Sequence, residues 1–168
     1  MDQLLNQKTL RIKLRKYYKK SGDKMSKYDC LKLENQLCFP LYVCSKEIVR
    51  KYKPFLDEID LTYTQYIAMM ALWQNNECNV KELGEALYLD SGTLTPLLKK
   101  LESKEYVQRV RAKDDERNLV VKLTAKGKKL EDKASKITAQ MGRCVNLNQK
   151  EAGELKRLLD KVLGGLDD

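Results

Sequence analysis

Leu89-Asp90-Ser91-Gly92-Thr93-Leu94-Thr95-Pro96-Leu97-Leu98-Lys99-Lys100-Leu101 decides the fold. Leu94, Leu97, Leu98 and Leu101 recur at the spacing of one apolar helix face. Asp90 or Ser91 opens this helix. Its opposite face carries Ser91, Thr93, Thr95, Lys99 and Lys100, which are small and hydroxylated or cationic. A helix of this kind packs by one face and offers the other to a polar, anionic partner.

The neighbouring residues define what this helix belongs to. Upstream, Asn79-Val80-Lys81-Glu82 is an N-cap with an acid three residues on, like a capping box. It opens a short helix with Val80, Leu83 and Leu87 on one face. Downstream the period changes. Val107 to Arg111 and Leu119 to Leu123 are β-prone runs around the polar loop Ala112–Asn118. Leu119, Val121 and Leu123 alternate as one face of a strand does. Two short helices followed by a β-hairpin is the order of a winged helix-turn-helix. In that arrangement the second helix enters a major groove, its hydroxyls meet bases or phosphates, and Lys99 and Lys100 pair with phosphates. Arg117 on the loop reaches the adjacent minor groove.

Charge agrees with this order. The 168 residues hold 33 Lys and Arg against 24 Asp and Glu, a net +9. Residues 99–129 hold eleven basic and five acidic residues, a local +6. A charge run usually marks only a solvated face. Here order, charge and outward hydroxyls coincide, which favours duplex DNA.

Further out, Leu33, Leu37, Leu41, Ile48, Tyr52 and Phe55 predict a long helix ending near Lys53-Pro54. Pro40 would lie inside it and kink it near Gln36. A second, almost wholly apolar core helix is expected from about Thr64 to Trp73. After the hairpin, one helix capped by Thr124 runs to about Met141. Another starts at Asn148, with Glu151 at N3, and continues through Leu155, Leu158, Leu159 and Val162.

Composition excludes several functions. There is no histidine, hence no His-ligated metal site and no Ser-His or Cys-His catalytic pair. Five cysteines stand at 30, 38, 44, 78 and 144 and form no C-x-x-C. No metal, cofactor or enzyme activity is expected. The longest uncharged stretch, Leu61 to Asn76, is 16 residues and partly polar, too short to span a bilayer. No apolar run follows the basic N-terminus, so a cytoplasmic protein with reduced thiols and no membrane partner is expected.

Residues 1–24 hold eight basic and two acidic residues, another +6. Two readings stand. In one, Gly22-Asp23 is encoded by GGA-GAY, a ribosome-binding core ahead of Met25, and residues 1–24 lie upstream of the native start. In the other, the segment is a basic arm that tracks phosphates.

Among the cysteines, Cys38 falls early in a helix, where backbone N–H groups and the helix dipole favour a thiolate. Tyr52 and Tyr63 are phenols able to donate to it. A lone helical cysteine is more often a small buried hydrophobe than a reactive thiol, and spacing leaves both readings open.

The blocks Leu33-Glu34-Asn35-Gln36-Leu37-Cys38-Phe39, Tyr52-Lys53-Pro54, Leu61-Thr62-Tyr63, Leu89 to Lys99 and Asp115-Glu116-Arg117 together resemble the MarR family. Within it they resemble the organic-hydroperoxide resistance regulators, over about residues 31–165. The resemblance implies a mainly α fold with a small β-hairpin wing, a winged helix-turn-helix in each subunit of a homodimer, and interleaved terminal helices. Residues 1–30 would be a basic tail, 31–60 and 124–165 the dimerisation region, and 61–123 the DNA-binding region. It further implies a repressor that binds a pseudo-palindromic operator when reduced. Organic hydroperoxide oxidises Cys38 to a sulfenic acid and DNA is released. Tyr42, Tyr52 and Tyr63 match the tyrosines that line the pocket or hold the thiolate. Ser91, Thr93, Thr95 and Lys99 match the recognition helix, and Asp115 and Arg117 the wing.

Two-cysteine members of the branch close a disulfide with the partner subunit, through a cysteine between the last two helices. Cys144, in Met141-Gly142-Arg143-Cys144-Val145-Asn146, matches that position and favours the two-cysteine type; an incidental loop cysteine is the alternative. Pro40 departs from the family pattern, whereas Pro96 fits it, with Gly92 four residues earlier relieving part of the clash of its ring. Three other functions compete: a MarR-type regulator answering a small phenolic ligand without thiol chemistry, a thiol peroxidase, and a general architectural nucleic-acid protein.

Overall fold

A computed structural model describes residues 27–111 and 118–166. The chain divides into two compact units, with the boundary between Ile48 and Val49. In the first, two 3-10 turns, Asp29–Leu31 and Leu33–Asn35, precede helix α1, Cys38–Asp57, whose residues from Val49 onward belong to the second. Asn35 Nδ2 donates to the Asp29 carbonyl (2.7 Å), and the Gln36 side chain donates to the Cys30 carbonyl.

The long helix expected from Leu33 therefore starts at Cys38. Gln36 is extended and closes the preceding 3-10 turn through its backbone N–H to the Leu33 carbonyl (3.1 Å). This corrects the expected kink. Pro40 is the third residue of α1, in the first turn, where a backbone N–H has no intrahelical acceptor to lose.

The other end of α1 is also corrected. The helix does not stop before Pro54 but runs through it to Asp57. Leu56 is buried in the core of the second unit, and its carbonyl accepts from Ile59 N (3.1 Å) and Leu61 N (3.0 Å). Burying one leucine stabilises by about 1.5–3 kcal/mol, comparable to the cost of an interior proline. The Lys53–Asp57 ion pair (2.8 Å) spans the proline as well.

The second unit contains α2 (Tyr63–Asn75), β1 (Glu77–Asn79), α3 (Val80–Leu87), α4 (Ser91–Ser103), β2 (Val107–Arg111), β3 (Leu119–Leu123), α5 (Ala125–Lys129), α6 (Glu131–Cys144) and α7 (Gln149–Gly164). Thr62 and Gln65 form a reciprocal capping box at the start of α2. Asn79 caps α3 by accepting from Lys81 N (2.8 Å), the N-cap half of the expected motif.

The hairpin β2–β3 pairs Val107 with Leu123 through Arg111 with Leu119. Strand β1, too short to show periodicity, adds to the other edge of β3 with Cys78 opposite Val121, giving the antiparallel order β1-β3-β2. Met69, Leu72, Leu83, Leu98, Leu101, Val107 and Val121 form the sealed centre of the core.

Helix α5 is short because the segment capped by Thr124 is interrupted at Leu130. Gly127 is obligatory in α5: a Cβ there would stand 2.0 Å from the Tyr106 carbonyl oxygen. Its own carbonyl accepts from Trp73 Nε1 (2.9 Å), which ties α5 to α2. Helix α7 has the expected Asn148–Glu151 capping box, yet none of its residues is buried.

Candidate functional site

Helix α4 follows α3 across a tight turn closed by Tyr88, a non-glycine residue in the left-handed region (φ 53°). Asp90 caps α4. Leu94, Leu97, Leu98 and Leu101 are all buried, the face that the periodicity indicated. Ser91, Thr93, Thr95, Lys99 and Lys100 are all exposed on the remainder of the helix. One amphipathic element is therefore anchored by four leucines and displays hydroxyls and ammonium groups outward.

The far end of α4 is joined to the hairpin. Glu102 accepts three hydrogen bonds from Arg109 on β2: from the backbone N (3.0 Å), Nε (2.9 Å) and the terminal guanidinium nitrogen (2.6 Å). Both guanidinium bonds converge on Oε2 while the backbone N–H takes Oε1, so charge-assisted bonds satisfy both carboxylate oxygens. The bonds from Arg109 hold the Glu102 carboxyl below its ordinary range. Sequence spacing gave no sign of this link, because its partners are on different elements with different periods. The wing residues Asp115 and Arg117 lie outside the described residues. A groove of about 830 Å³ opens beside the turn, lined in part by Lys81, Glu85, Tyr88 and Ser91.

Cys38 is the first residue of α1 and is exposed. Tyr42, one turn on, is also exposed, with Lys46 Nζ 5.8 Å from its ring centre. Cys144 ends α6 and is exposed. Cys44 and Cys30 are exposed too, whereas Cys78 is half-buried in β1 and donates to the Asn79 carbonyl (3.3 Å).

In the second unit Tyr52 and Tyr63 do come together, with ring centres 5.1 Å apart. Tyr66, which sequence reading did not single out, completes the cluster 5.7 Å from Tyr52 and bonds Thr138 Oγ1 (2.8 Å). Its i+3 spacing from Tyr63 on α2 was the available signal. Burial, then the neighbouring phenols, push the Tyr52 and Tyr63 hydroxyls up from 10.0, so both remain protonated donors at neutral pH.

Residues 50–134 match the family described as transcriptional regulator SarA/Rot. The chain belongs to this MarR-like family. This MarR-like regulator is 45% identical over 133 residues to the organic hydroperoxide resistance transcriptional regulator of Bacillus subtilis, covering 79% of this chain and 88% of that protein. It is 50% identical to the HTH-type transcriptional regulator SarZ of Staphylococcus aureus, over 73% of this chain and 83% of that protein. Reduced AbfR bound to DNA, a Staphylococcus epidermidis protein, shares 31% identity and a TM-score of 0.71, covering 85% of this chain and all of that one. AbfR in its disulfide form gives a TM-score of 0.58 at 31% identity, over 84% of this chain and 94% of that one. The regulator is thus a DNA-binding transcription factor of winged helix-turn-helix type rather than an enzyme. Among the described residues no helix is long and apolar enough to cross a membrane.

Proposed function

We propose that this regulator is a homodimeric repressor that binds a pseudo-palindromic operator while Cys38 is reduced and leaves it when organic hydroperoxide oxidises Cys38. The observation that carries the reading is the exposed Cys38 at the first position of α1, in a chain 45% identical to an organic hydroperoxide regulator. Exposure admits the oxidant, and access is one of the two requirements for a sensing thiol. The Cys38 thiolate attacks one peroxide oxygen and the O–O bond breaks. Sulfenic acid forms at Cys38, and the departing alkoxide takes a proton and leaves as an alcohol. Tyr42, Tyr52 and Tyr63 are the phenols assigned to hold the thiolate in the assembled dimer.

The thiolate of Cys144 of the partner subunit then attacks the Cys38 sulfur. A disulfide forms and hydroxide departs, taking up a proton as water. The exposed end-of-helix position of Cys144 supports this two-cysteine route. A covalent link between subunits would hold the two reading heads at a spacing that no longer matches the half-sites. Ser91, Thr93, Thr95, Lys99 and Lys100 are assigned to the major groove, Arg117 to the minor groove, and Asp115 to the wing that carries Arg117. In this reading residues 31–60 and 124–165 make the dimer, residues 61–123 read DNA, and the protein works in the reducing cytoplasm.

DNA binding to the chain's own upstream region tests the reading, with and without an organic hydroperoxide. Wild type should bind when reduced and be released on oxidation, with a crosslinked dimer on a non-reducing gel. Cys38→Ser should remain bound. Cys144→Ser should give no crosslinked dimer. Release of Cys38→Ser as readily as wild type would overturn thiol sensing and favour a non-covalent ligand.

A further inference from the structure

The hydroxyl of Thr93, third residue of α4, has its proton committed. Asp90 accepts both donors of this threonine: Oδ1 takes the backbone N–H (2.9 Å) and Oδ2 takes the Oγ1 proton (2.8 Å). A threonine hydroxyl has one proton and two lone pairs. With the proton bound to Asp90, Oγ1 of this exposed residue is left with lone pairs and acts as an acceptor. These bonds from Thr93 hold the Asp90 carboxyl below the usual carboxylate range, so it stays ionised and returns no proton. Gly92 makes room for the arrangement, since a Cβ there would stand 2.9 Å from Asp90 Oδ1.

We propose that Asp90 sets the base preference of α4 by holding Thr93 Oγ1 as an acceptor, so that Thr93 selects an amino-bearing base edge, adenine N6 or cytosine N4. The inference rests on α4 being the helix that enters the major groove. Phosphate oxygens, guanine O6 and N7, and thymine O4 are all acceptors and offer nothing to an oxygen with no free proton. Only the exocyclic amines of adenine and cytosine donate in that groove. The Asp90 charge also repels a phosphate at the same place. Asp90 is therefore a positioning residue: it acts on the base through Thr93.

An isosteric change inverts this polarity. In Asp90→Asn the side-chain oxygen still caps Thr93 N, while the amide N–H donates to Thr93 Oγ1 and frees the hydroxyl proton. Selection from a duplex DNA library with a randomised core, followed by sequencing, reads the outcome using the full-length protein. Wild type should enrich adenine or cytosine at one position per half-site on the strand facing Thr93. Thr93→Ser should keep that preference. Thr93→Val, which keeps a methyl group but loses the hydroxyl, should lose about fivefold of it. Asp90→Asn should move the preference at that position towards guanine or thymine. Asp90→Ser, which keeps an N-cap but is too short to hold the hydroxyl, should broaden it and melt close to wild type.

A profile unchanged by both Thr93→Val and Asp90→Asn overturns the proposal and leaves DNA reading by α4 intact. Lower affinity for Asp90→Asn with an unmoved base preference assigns Asp90 to helix capping alone and also overturns it. If wild type enriches no sequence, or Ser91→Ala, Thr95→Ala and Lys99→Ala together leave the profile and affinity unchanged, α4 is not the reading helix, and the underlying assignment fails first.

Discussion

Helices α4 and α7 are both amphipathic and both start at a side-chain cap, yet they end up in different surroundings. In α4 the apolar stripe is sealed: Leu98 is 1% and Leu101 0% exposed. In α7 the corresponding stripe is open: Leu155 is 44% and Leu158 45% exposed, with Leu159, Val162 and Leu163 beside them. An exposed run of five large apolar residues on one helix is a surface that needs a partner. The difference shows that amphipathic periodicity reports a face that must be covered, not what covers it. For α4 the cover is the chain's own core. For α7 the proposed homodimer supplies it.

Leu101→Ala breaks the comparison from the α4 side and should have the largest effect. The site is fully sealed, so truncation should cost about 2–5 kcal/mol, read as a lower urea midpoint at unchanged slope. The double change Leu155→Ala with Leu158→Ala tests the α7 side. Sedimentation should show loss of dimer on dilution, and melting should depend less on protein concentration than in wild type. A monomeric wild type, or a variant that dimerises equally well, would remove α7 from the interface.

Asn148→Ala should cost about 1 kcal/mol, because Glu151 N loses its acceptor at the start of α7. The smallest effect is expected from Glu102→Gln. Folding lowers the Glu102 pKa below its ordinary 4.5 through the Arg109 bonds, so folding favours the charged form. Its contribution is complete above the unfolded value and is lost as pH falls through the folded one. Removing the charge should flatten the acid limb of the stability profile below about pH 4.5, by no more than about 1 kcal/mol after solvent screening. Equal acid sensitivity in the variant would show that this pair is energetically silent.

The two helices also show why some features were legible in the sequence and others were not. Local periodicity and capping chemistry act within a few residues, so the four leucines of α4 and the Asn148–Glu151 box were readable directly. Proline at 54 was misread because the local disfavour of the preceding residue was set against nothing, whereas the fold adds burial of Leu56. Strand β1 was missed because three residues carry no period and its pairing to β3 crosses more than forty positions. The Tyr66–Thr138 bond was invisible because its partners stand 72 positions apart, and the Glu102–Arg109 clamp because its partners are on a helix and a strand of different period.

The residues alone determined the order of helices and hairpin, the polar face of α4, the basic stretch 99–129 and the lack of histidine chemistry. Residue type and spacing carry those properties without any long-range contact. Tertiary structure decided where α1 begins, and hence that Cys38 opens it and Pro40 lies harmlessly in its first turn. It also fixed the direction in which the Thr93 proton points. Residue type does not choose among the several hydrogen bonds open to these groups; the folded backbone geometry does, by the partner it brings into line with each donor.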